Sequence, residues 1–351
     1  MTKISILTID YELFLGSKTG TVTECMIGPT DNLLSLLQIN NSKMTVFWDI
    51  LHFYRLLQLE EKFSELKQDR ILIEDQISRL IQSGHDVQLH LHPHWLDAVY
   101  EDGKWQFKYD RFDIHSLSKE NNVKDINTII GCVAISKKLM EDTIRKVNPN
   151  YEVTSFRAGG YLIEPFNDLR EALAFNNIFI DSSVAPDMVS NNGIFSYNFS
   201  NYPDGTVYNF DDSLTKVNDT GKFIELPITT VKIPAVINLL FTLLRRLKYS
   251  NIESKRAGSG SGEINKITKG SNFKKLISLF HSTKMVQFTT DSNFKEKFNY
   301  LYKKIPNDSN MILHPKLLNE HTLELLKDYL SESKIKFISI KEFLSTDIFN
   351  A

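Results

Sequence analysis

The chain has 351 residues, 42% of them hydrophobic and 24% charged, with a formal net charge of −2. These values are typical of a globular protein with a large core, and the near-neutral charge gives no sign of a nucleic-acid or acidic-membrane surface. The two cysteines, Cys25 and Cys132, are too few for a disulfide framework or a thiolate metal site.

The amino-terminal residues predict a β-strand rather than a targeting signal. An alternating apolar run from Ile4 to Ile9 is too short, and has the wrong flanks, for a secretory signal. No apolar run approaches the roughly 20 residues that a membrane helix needs. We therefore expect a cytoplasmic protein without stable membrane insertion.

Two carboxylates, Asp10 and Glu12, stand at the end of this first strand. Because side chains alternate between the faces of a strand, these two can point the same way. Neighbouring carboxylates at the end of a buried strand are costly unless a cation or a proton lies between them. A solvated strand end, followed by a loop through Gly16 and Gly20, explains this stretch equally well.

Residues 31–91 alternate between helical and strand patterns. The spacing predicts helices over 31–39, 52–59 and 67–82, and buried strands over 43–48 and 86–91. A strand–helix–strand alternation of this kind is typical of parallel strands joined by right-handed crossovers. The sequence therefore predicts an α/β protein.

Three histidines within five residues, His90, His92 and His94, stand at the end of the strand 86–91. Neutral imidazole is the commonest metal-binding side chain, and α/β proteins place their sites at the carboxyl ends of strands. The set predicts a metal site that still needs a carboxylate. His85 and His92, each taken singly, are better explained as surface or satisfied core residues.

Two later strand ends also carry polar groups. Arg157 follows a strand and precedes Gly159 and Gly160, and an arginine there can form a bidentate pair with a carboxylate. His314 follows the strand 311–313. A structural ion pair remains open for Arg157, and a strand-end cap remains open for His314.

Three other segments carry structural expectations. Residues 95–118 are irregular and aromatic, which favours a loop that covers the site or packs on the body. The apolar helix expected from Pro234 to Leu247 could cover the body or form a partner surface. The small residues within 250–271 predict a flexible loop, and a helix is expected over 273–281.

The order and spacing of these strand ends resemble the polysaccharide deacetylase superfamily (NodB-homology, carbohydrate esterase family 4). The matching stretches are Thr8-Ile9-Asp10-Tyr11-Glu12, Met44-Thr45-Val46-Phe47, Gly84-His85-Asp86-Val87-Gln88-Leu89-His90-Leu91-His92-Pro93-His94, Arg157-Ala158-Gly159-Gly160 and Ile312-Leu313-His314. The family motif His-(Ser/Thr)-x-x-His falls on His90 and His94. The resemblance covers the chain roughly from Lys3 to Leu344.

The resemblance implies one catalytic domain over 1–351, a distorted, incomplete (β/α) barrel with added helices and loops and a flexible insertion near 250–271. It implies one divalent metal ion, zinc first and cobalt, nickel, manganese or iron as alternatives, on Glu12, His90 and His94. The family's adjacent Asp-Asp is replaced here by Asp10-Tyr11-Glu12, so which carboxylate binds metal stays open. Leu91 also replaces the family's Ser/Thr, which suggests a divergent intracellular branch.

By the same resemblance, Asp10 is the catalytic base and Arg157 holds it ionised. The metal and the Gly160 N–H stabilise the oxyanion, and His314 protonates the departing amine. The implied function is removal of an N-acyl group, acetyl first, from an amino-sugar or glycan precursor in surface-polysaccharide biosynthesis, with no nucleic-acid partner.

Two other classes remain open. His90 and His92 form a His-x-His pair of the kind found in amidohydrolase and phosphoesterase barrels. That hypothesis needs further metal ligands at later strand ends. A non-catalytic glycan-binding or scaffold protein with a degenerate deacetylase fold would keep the architecture without turnover.

Overall fold

The computed structural model describes residues 3–204, 207–250, 258, 260–261, 283–306, 308–332 and 335–346. Its strands are β1 Lys3–Tyr11, β2 Thr45–Asp49, β3 Asp86–Leu91, β4 Val99–Glu101, β5 Lys104–Gln106, β6 Ser155–Ala158, β7 Ile180–Asp181, β8 Val189–Asn192, β9 Phe195–Asn198, β10 Tyr208–Phe210, β11 Phe223–Glu225, β12 Thr230–Ile233, β13 Lys284–Gln287, β14 Asn310–Leu313 and β15 Ile335–Ile338.

The α-helices are α1 Gly28–Ile39, α2 Ile50–Leu59, α3 Ser64–Gln82, α4 Ile129–Ile144, α5 Phe166–Phe175, α6 Ala235–Lys248, α7 Lys295–Tyr302, α8 Glu320–Glu332 and α9 Ile340–Leu344. Short helical turns lie at Thr23–Ile27, Pro93–Asp97, Ile114–Ser116, Gly159–Tyr161 and Pro315–Leu317. The described residues include no helix with both the length and the apolar character that crossing a bilayer requires.

One nine-stranded sheet organises the molecule. Its strands follow the order β10-β11-β7-β6-β3-β2-β1-β14, and β15 also pairs with β1. All of its pairs are parallel except β10–β11. The sheet is an open, strongly curled half-barrel surrounded by helices, which confirms the predicted α/β class and the distorted, incomplete (β/α) barrel.

The central strands are buried at every position, as expected for parallel strands that are covered on both faces. Every residue of β2 and β3 is buried, and their near-continuous apolar runs are typical of that environment. Their parallel register sets Asp49 beside His90, and His90 beside Arg157. Polar side chains that are far apart in sequence therefore meet at one edge of the sheet.

The segment 95–118, which was predicted as a loop, contains a short hairpin. Within 95–118, β4 and β5 are joined by Asp102-Gly103, both with positive φ, the dipeptide typical of a two-residue hairpin turn. Farther along, β8 pairs with β9. The predicted insertion near 250–271 and the predicted helix 273–281 lie outside the described residues, apart from Ser250, Gly258, Gly260 and Ser261.

Candidate active site

A cavity of about 280 Å³ opens at the carboxyl edge of the central strands. Its polar lining consists of Asp10, Glu12, His90, His92, His314 and Lys316, and the remaining lining residues are Phe14, Leu15, Gly160, Tyr161, Phe195 and Leu317. Buried ionisable groups and aromatic rings share this lining, which suits a small polar molecule that has a flat apolar face.

Glu12, His90 and His92 converge at the floor of this cavity. The two histidine Nε2 atoms lie 3.1 Å apart, and Glu12 Oε2 lies 2.8 Å from His92 Nε2 and 3.5 Å from His90 Nε2. His90 Nδ1 is 2.8 Å from the carbonyl oxygen of Arg157. A neutral His90 donates from Nδ1 to that carbonyl, which leaves the lone pair of Nε2 directed at Glu12 and His92.

The electrostatics of this group also favour a cation. Burial raises the pKa of the Glu12 carboxyl, but Lys316 and His92 hold it well below its usual value. Burial lowers the pKa of His90, yet the hydrogen bond to Glu12 and the charges of Asp10 and Glu12 raise it to about 9. Two imidazoles and a carboxylate form the donor set of many catalytic zinc sites, so these residues fit a divalent ion.

A second group, Asp10, Glu12 and His314, shares Glu12 with the first. His314 Nε2 lies 3.5 Å from Asp10 Oδ2, and its Nδ1 lies 2.8 Å from Asp291 Oδ2. Burial lowers the pKa of His314, but the hydrogen bond with Asp291 and the charge of Asp10 leave it raised. Asp291 therefore orients the ring so that Nε2 faces Asp10.

Arg157 is fully buried behind the site and fixes Asp10. It donates from Nη1 to Asp10 Oδ1 at 2.6 Å, from Nη2 to Thr8 Oγ1 and Ser182 Oγ, both at 2.9 Å, and from Nε to the carbonyl oxygen of Ser182 at 2.7 Å. The guanidinium also lies over the Phe47 ring at 4.1 Å. Burial raises the pKa of Asp10, but the charges of Arg157, His90 and His314 together leave it below its usual value, which favours the ionised form.

His94 lies outside both groups of potential ligands. The helical turn Pro93–Asp97 carries its ring into a cluster formed by Trp95, Phe107, Tyr109 and Phe112. Neither ring nitrogen of His94 has a hydrogen-bond partner among the described residues, and burial holds its pKa well below the usual value. The extended chain from His90 to His92 sets those two rings on one face, since side chains two residues apart share a strand face.

Two glycines let the end of β6 approach the end of β3. A Cβ on Gly159 would lie 2.4 Å from the Leu91 carbonyl oxygen and 2.6 Å from His92 Nδ1. Gly160 has φ +62°, and a Cβ there would lie 3.0 Å from the Phe112 ring. The absence of a side chain on Gly159 thus leaves room for the His92 ring, and Gly160 lines the cavity.

Lys316, Asp291 and Asp49 had no role predicted from the sequence. Lys316 Nζ donates to Glu12 Oε1 and to the Leu13 carbonyl oxygen, both at 2.8 Å. Asp49 accepts from Trp95 Nε1 at 2.7 Å, and burial raises its pKa to about 6. Asp49 and Lys316 follow the predicted strands 43–48 and 311–313, so the strand-end signal that singled out Arg157 and His314 was available for them too.

No family model matches the chain, and no curated protein sequence matches it. Solved structures do. A protein of Mycobacterium smegmatis described as a candidate polysaccharide deacetylase is 12% identical, with a TM-score of 0.46, covering 98% of this chain and 90% of its own. Peptidoglycan deacetylase PdaC of Bacillus subtilis is 10% identical, with a TM-score of 0.36 and coverages of 99% and 93%.

A third similar structure is Puue allantoinase, 10% identical with a TM-score of 0.44, covering 97% of this chain and 89% of its own. All three TM-scores are below 0.5, and these likenesses assign no function to the chain.

Proposed function

We propose that the protein is a metal-dependent hydrolase that removes an N-acyl group, acetyl first, from an amino-sugar precursor of a surface polysaccharide. The observation that supports this proposal is the meeting of Glu12, His90 and His92 in a cavity that also holds Asp10 and His314. Ligands for a cation, a base and an acid thus lie in one place, as amide hydrolysis requires.

In this proposal Glu12, His90 and His92 hold one divalent ion, zinc first, and His92 takes the place that the sequence analysis gave to His94. When bound, the ion would supply Lewis acidity toward the substrate carbonyl. The Nδ1–H of His90 keeps its ring oriented through the Arg157 carbonyl. Lys316 balances the charge of Glu12 from the opposite carboxylate oxygen.

The proton steps fall to two other residues. Asp10, kept ionised by Arg157, accepts a proton from the attacking water. His314 donates a proton from Nε2 to the amine as the C–N bond breaks, with Asp291 supporting its charge. The Gly160 N–H is the proposed backbone donor to the developing oxyanion. The products are a carboxylic acid and a free amino sugar.

The aromatic residues of the cavity support a sugar substrate. Tyr161 and Phe195 line it together with the ionisable residues, and the Phe195 ring packs edge-on against Phe112 at 4.9 Å between ring centroids. A sugar ring presents an apolar C–H face and a polar hydroxyl edge, and this lining offers contacts to both.

The first test is metal content by plasma mass spectrometry on the wild-type chain and three variants purified together. We expect one ion per chain in wild type and in His94→Ala, and loss of the ion in Glu12→Ala and His92→Ala. Retention in His92→Ala with loss in His94→Ala would return the ligand role to His94. An absence of metal from every protein after reconstitution would overturn the metal-dependent mechanism.

The second test is release of acetate from a panel of N-acetylated amino sugars. Asp10→Asn and His314→Gln should keep the metal and lose turnover by about 10²–10⁴-fold, the usual contribution of a positioned acid or base. A wild-type protein that binds its ion and these sugars but releases no acid, and whose sugar binding is unchanged in Asp10→Asn, would instead be a scaffold of deacetylase fold.

The sharing of Glu12 between two ligand groups favours a second candidate. A carboxylate that bridges two ions is typical of two-metal hydrolases, and His90-x-His92 supplies the pair expected of an amidohydrolase or phosphoesterase. Two ions per chain, with one lost in His314→Ala, and hydrolysis of a phosphate ester would support this candidate over the deacetylase.

A further inference from the structure

The helix α6 presents an apolar stripe to solvent. Val236, Leu240, Leu243 and Leu247 are 69%, 50%, 45% and 85% exposed. They are spaced four, three and four residues apart, which places them along one face of a helix. None of the residues of α6 is buried. A contiguous exposed apolar face of this kind commonly marks an interaction surface.

The opposite side of α6 attaches it to the body. The Phe241 ring packs against Phe294 and Tyr300, with ring centroids 5.8 and 5.6 Å apart. Tyr249, just after the helix, stacks on Phe294 at 4.8 Å. The helix is thus held in place by aromatic contacts on one side, and its leucines lie on the other.

The charged residues of α6 itself are all basic. Between Glu225 and Glu253 the sequence contains no acidic residue, while Lys232, Arg245, Arg246 and Lys248 are basic. Arg246 and Lys248 are exposed at the carboxyl end of α6. One acidic side chain, Glu296, reaches Lys248 at 3.1 Å.

The neighbouring strands extend this basic region. Lys232 and Lys284 are exposed on β12 and β13, which pair with each other. Burial lowers the pKa of Lys297 to about 8, and the charges of Lys284 and Arg245 add to this lowering. Positive groups are therefore close enough here to repel one another, a cost that an anionic surface would relieve.

We propose that α6 lies in the headgroup layer of an anionic lipid bilayer, with Leu240, Leu243 and Leu247 buried among the acyl chains. An apolar face flanked by lysine and arginine is the pattern of interfacial helices, and the positive charges match anionic headgroups. The helix has 14 residues, which suits a surface position rather than a span. The net charge of −2 hides this basic region because acidic residues elsewhere offset it.

Vesicle flotation tests the proposal on the full chain, and it needs neither metal nor substrate. Wild type should float with phosphatidylcholine vesicles that contain phosphatidylglycerol, and far less with phosphatidylcholine alone. Salt should weaken the binding. The double variant Leu240→Ser/Leu243→Ser and the single variant Arg246→Glu should each lower the bound fraction severalfold. The matched controls Ile39→Ser and Phe175→Ser, at apolar residues 81% and 61% exposed on other helices, should bind like wild type.

Tryptophan fluorescence tests the same contact without relying on the folding of the Leu240→Ser/Leu243→Ser variant. Val236→Trp should give a blue-shifted emission on addition of anionic vesicles and no shift with neutral ones. The proposal is overturned if wild type does not bind anionic vesicles. It is also overturned if Leu240→Ser/Leu243→Ser and Arg246→Glu both bind them as well as wild type does. Lipid-independent self-association that is abolished by Leu240→Ser/Leu243→Ser would overturn it in favour of a protein–protein surface.

Discussion

At the scale of single residues, Arg157 joins the site to the sheet. Its buried guanidinium reaches Asp10, Thr8 and Ser182 at once. Such a fork cannot be reproduced by the single ammonium of lysine. The sequence could predict that an arginine at this strand end would meet a carboxylate, because parallel strands end at a common edge.

Arg157→Lys should therefore lose activity and stability together. Breaking a buried, hydrogen-bonded ion pair commonly costs about 3–5 kcal/mol, and we expect at least half of that here. Urea unfolding measures the change. Arg79→Lys is the matched control, because its partner Asp31 is partly exposed and the pair should contribute less than about 1 kcal/mol. Equal losses in the two variants would show that Arg157 is not a structural centre.

The choice between His92 and His94 could not be made at this scale from sequence. It depends on whether the chain stays extended beyond Leu91, and a following proline is compatible with either path. The structure keeps the chain extended to His92 and begins a helical turn at Pro93. Only that local geometry brings His92 to Glu12 and sends His94 into an aromatic cluster.

At the scale of elements, β7 and β11 place two carboxylates side by side. Asp181 and Glu225 are opposite each other in the parallel register, and both are buried. Burial and the charge of Asp181 raise the pKa of Glu225 well above 4.5. Burial also raises the pKa of Asp181. The folded pair therefore holds a proton that the unfolded chain releases.

This pair predicts a pH dependence with a definite sign. As pH rises above 4.5, the ordinary pKa of glutamate, the unfolded chain loses its proton first, so the free energy of unfolding of wild type falls. Glu225→Gln removes that loss because an amide stays neutral. Its stability relative to wild type should rise from about pH 5 to about pH 8.

Urea midpoints at several pH values measure this difference. Glu171→Gln, at an exposed position on α5, is the control and should run parallel to wild type. If the urea midpoint of Glu225→Gln also differs from that of wild type by the same amount at every pH, Asp181 and Glu225 are both ionised in the folded protein.

Elements differ in how well sequence predicts them. The short buried strand β3 was predicted with its observed bounds, and the predicted helix 67–82 ends with α3 but begins three residues after it, because burial fixes the apolar pattern more firmly than the helix start. The hairpin at Asp102-Gly103 was missed because its strands have three residues each, too few for an alternation to show. Its turn dipeptide was the available signal.

At the scale of the whole molecule, the alternation of strands and helices predicted parallel strands but not their order in the sheet. That order depends on long-range pairing, which a single sequence does not display. The strand β1 pairs with β2, β14 and β15, so residues near both ends of the described chain share one sheet. The site depends on the same closure, since Lys316 pairs with Glu12 across 304 residues.

A chain that ends at residue 308 tests this dependence. Without β14 and β15, one edge of β1 is unpaired from Lys3 to Ile9. The cavity also loses His314 and Lys316. We expect it to lack a cooperative thermal transition by circular dichroism and to bind no metal. A chain that ends at residue 346 should behave like wild type. A sharp transition in the shorter chain would show that the remaining strands form a stable sheet alone.

The late pairing of β1 also has a consequence for biosynthesis. At about 5–20 residues per second, a ribosome needs roughly 15–60 s to extend the chain from Asp10 to His314. Throughout that interval one edge of the central strand is open, and open edges are where nascent chains pair wrongly. Chaperone protection should matter most during this window, and the candidate site should be complete only when the last strands emerge from the exit tunnel.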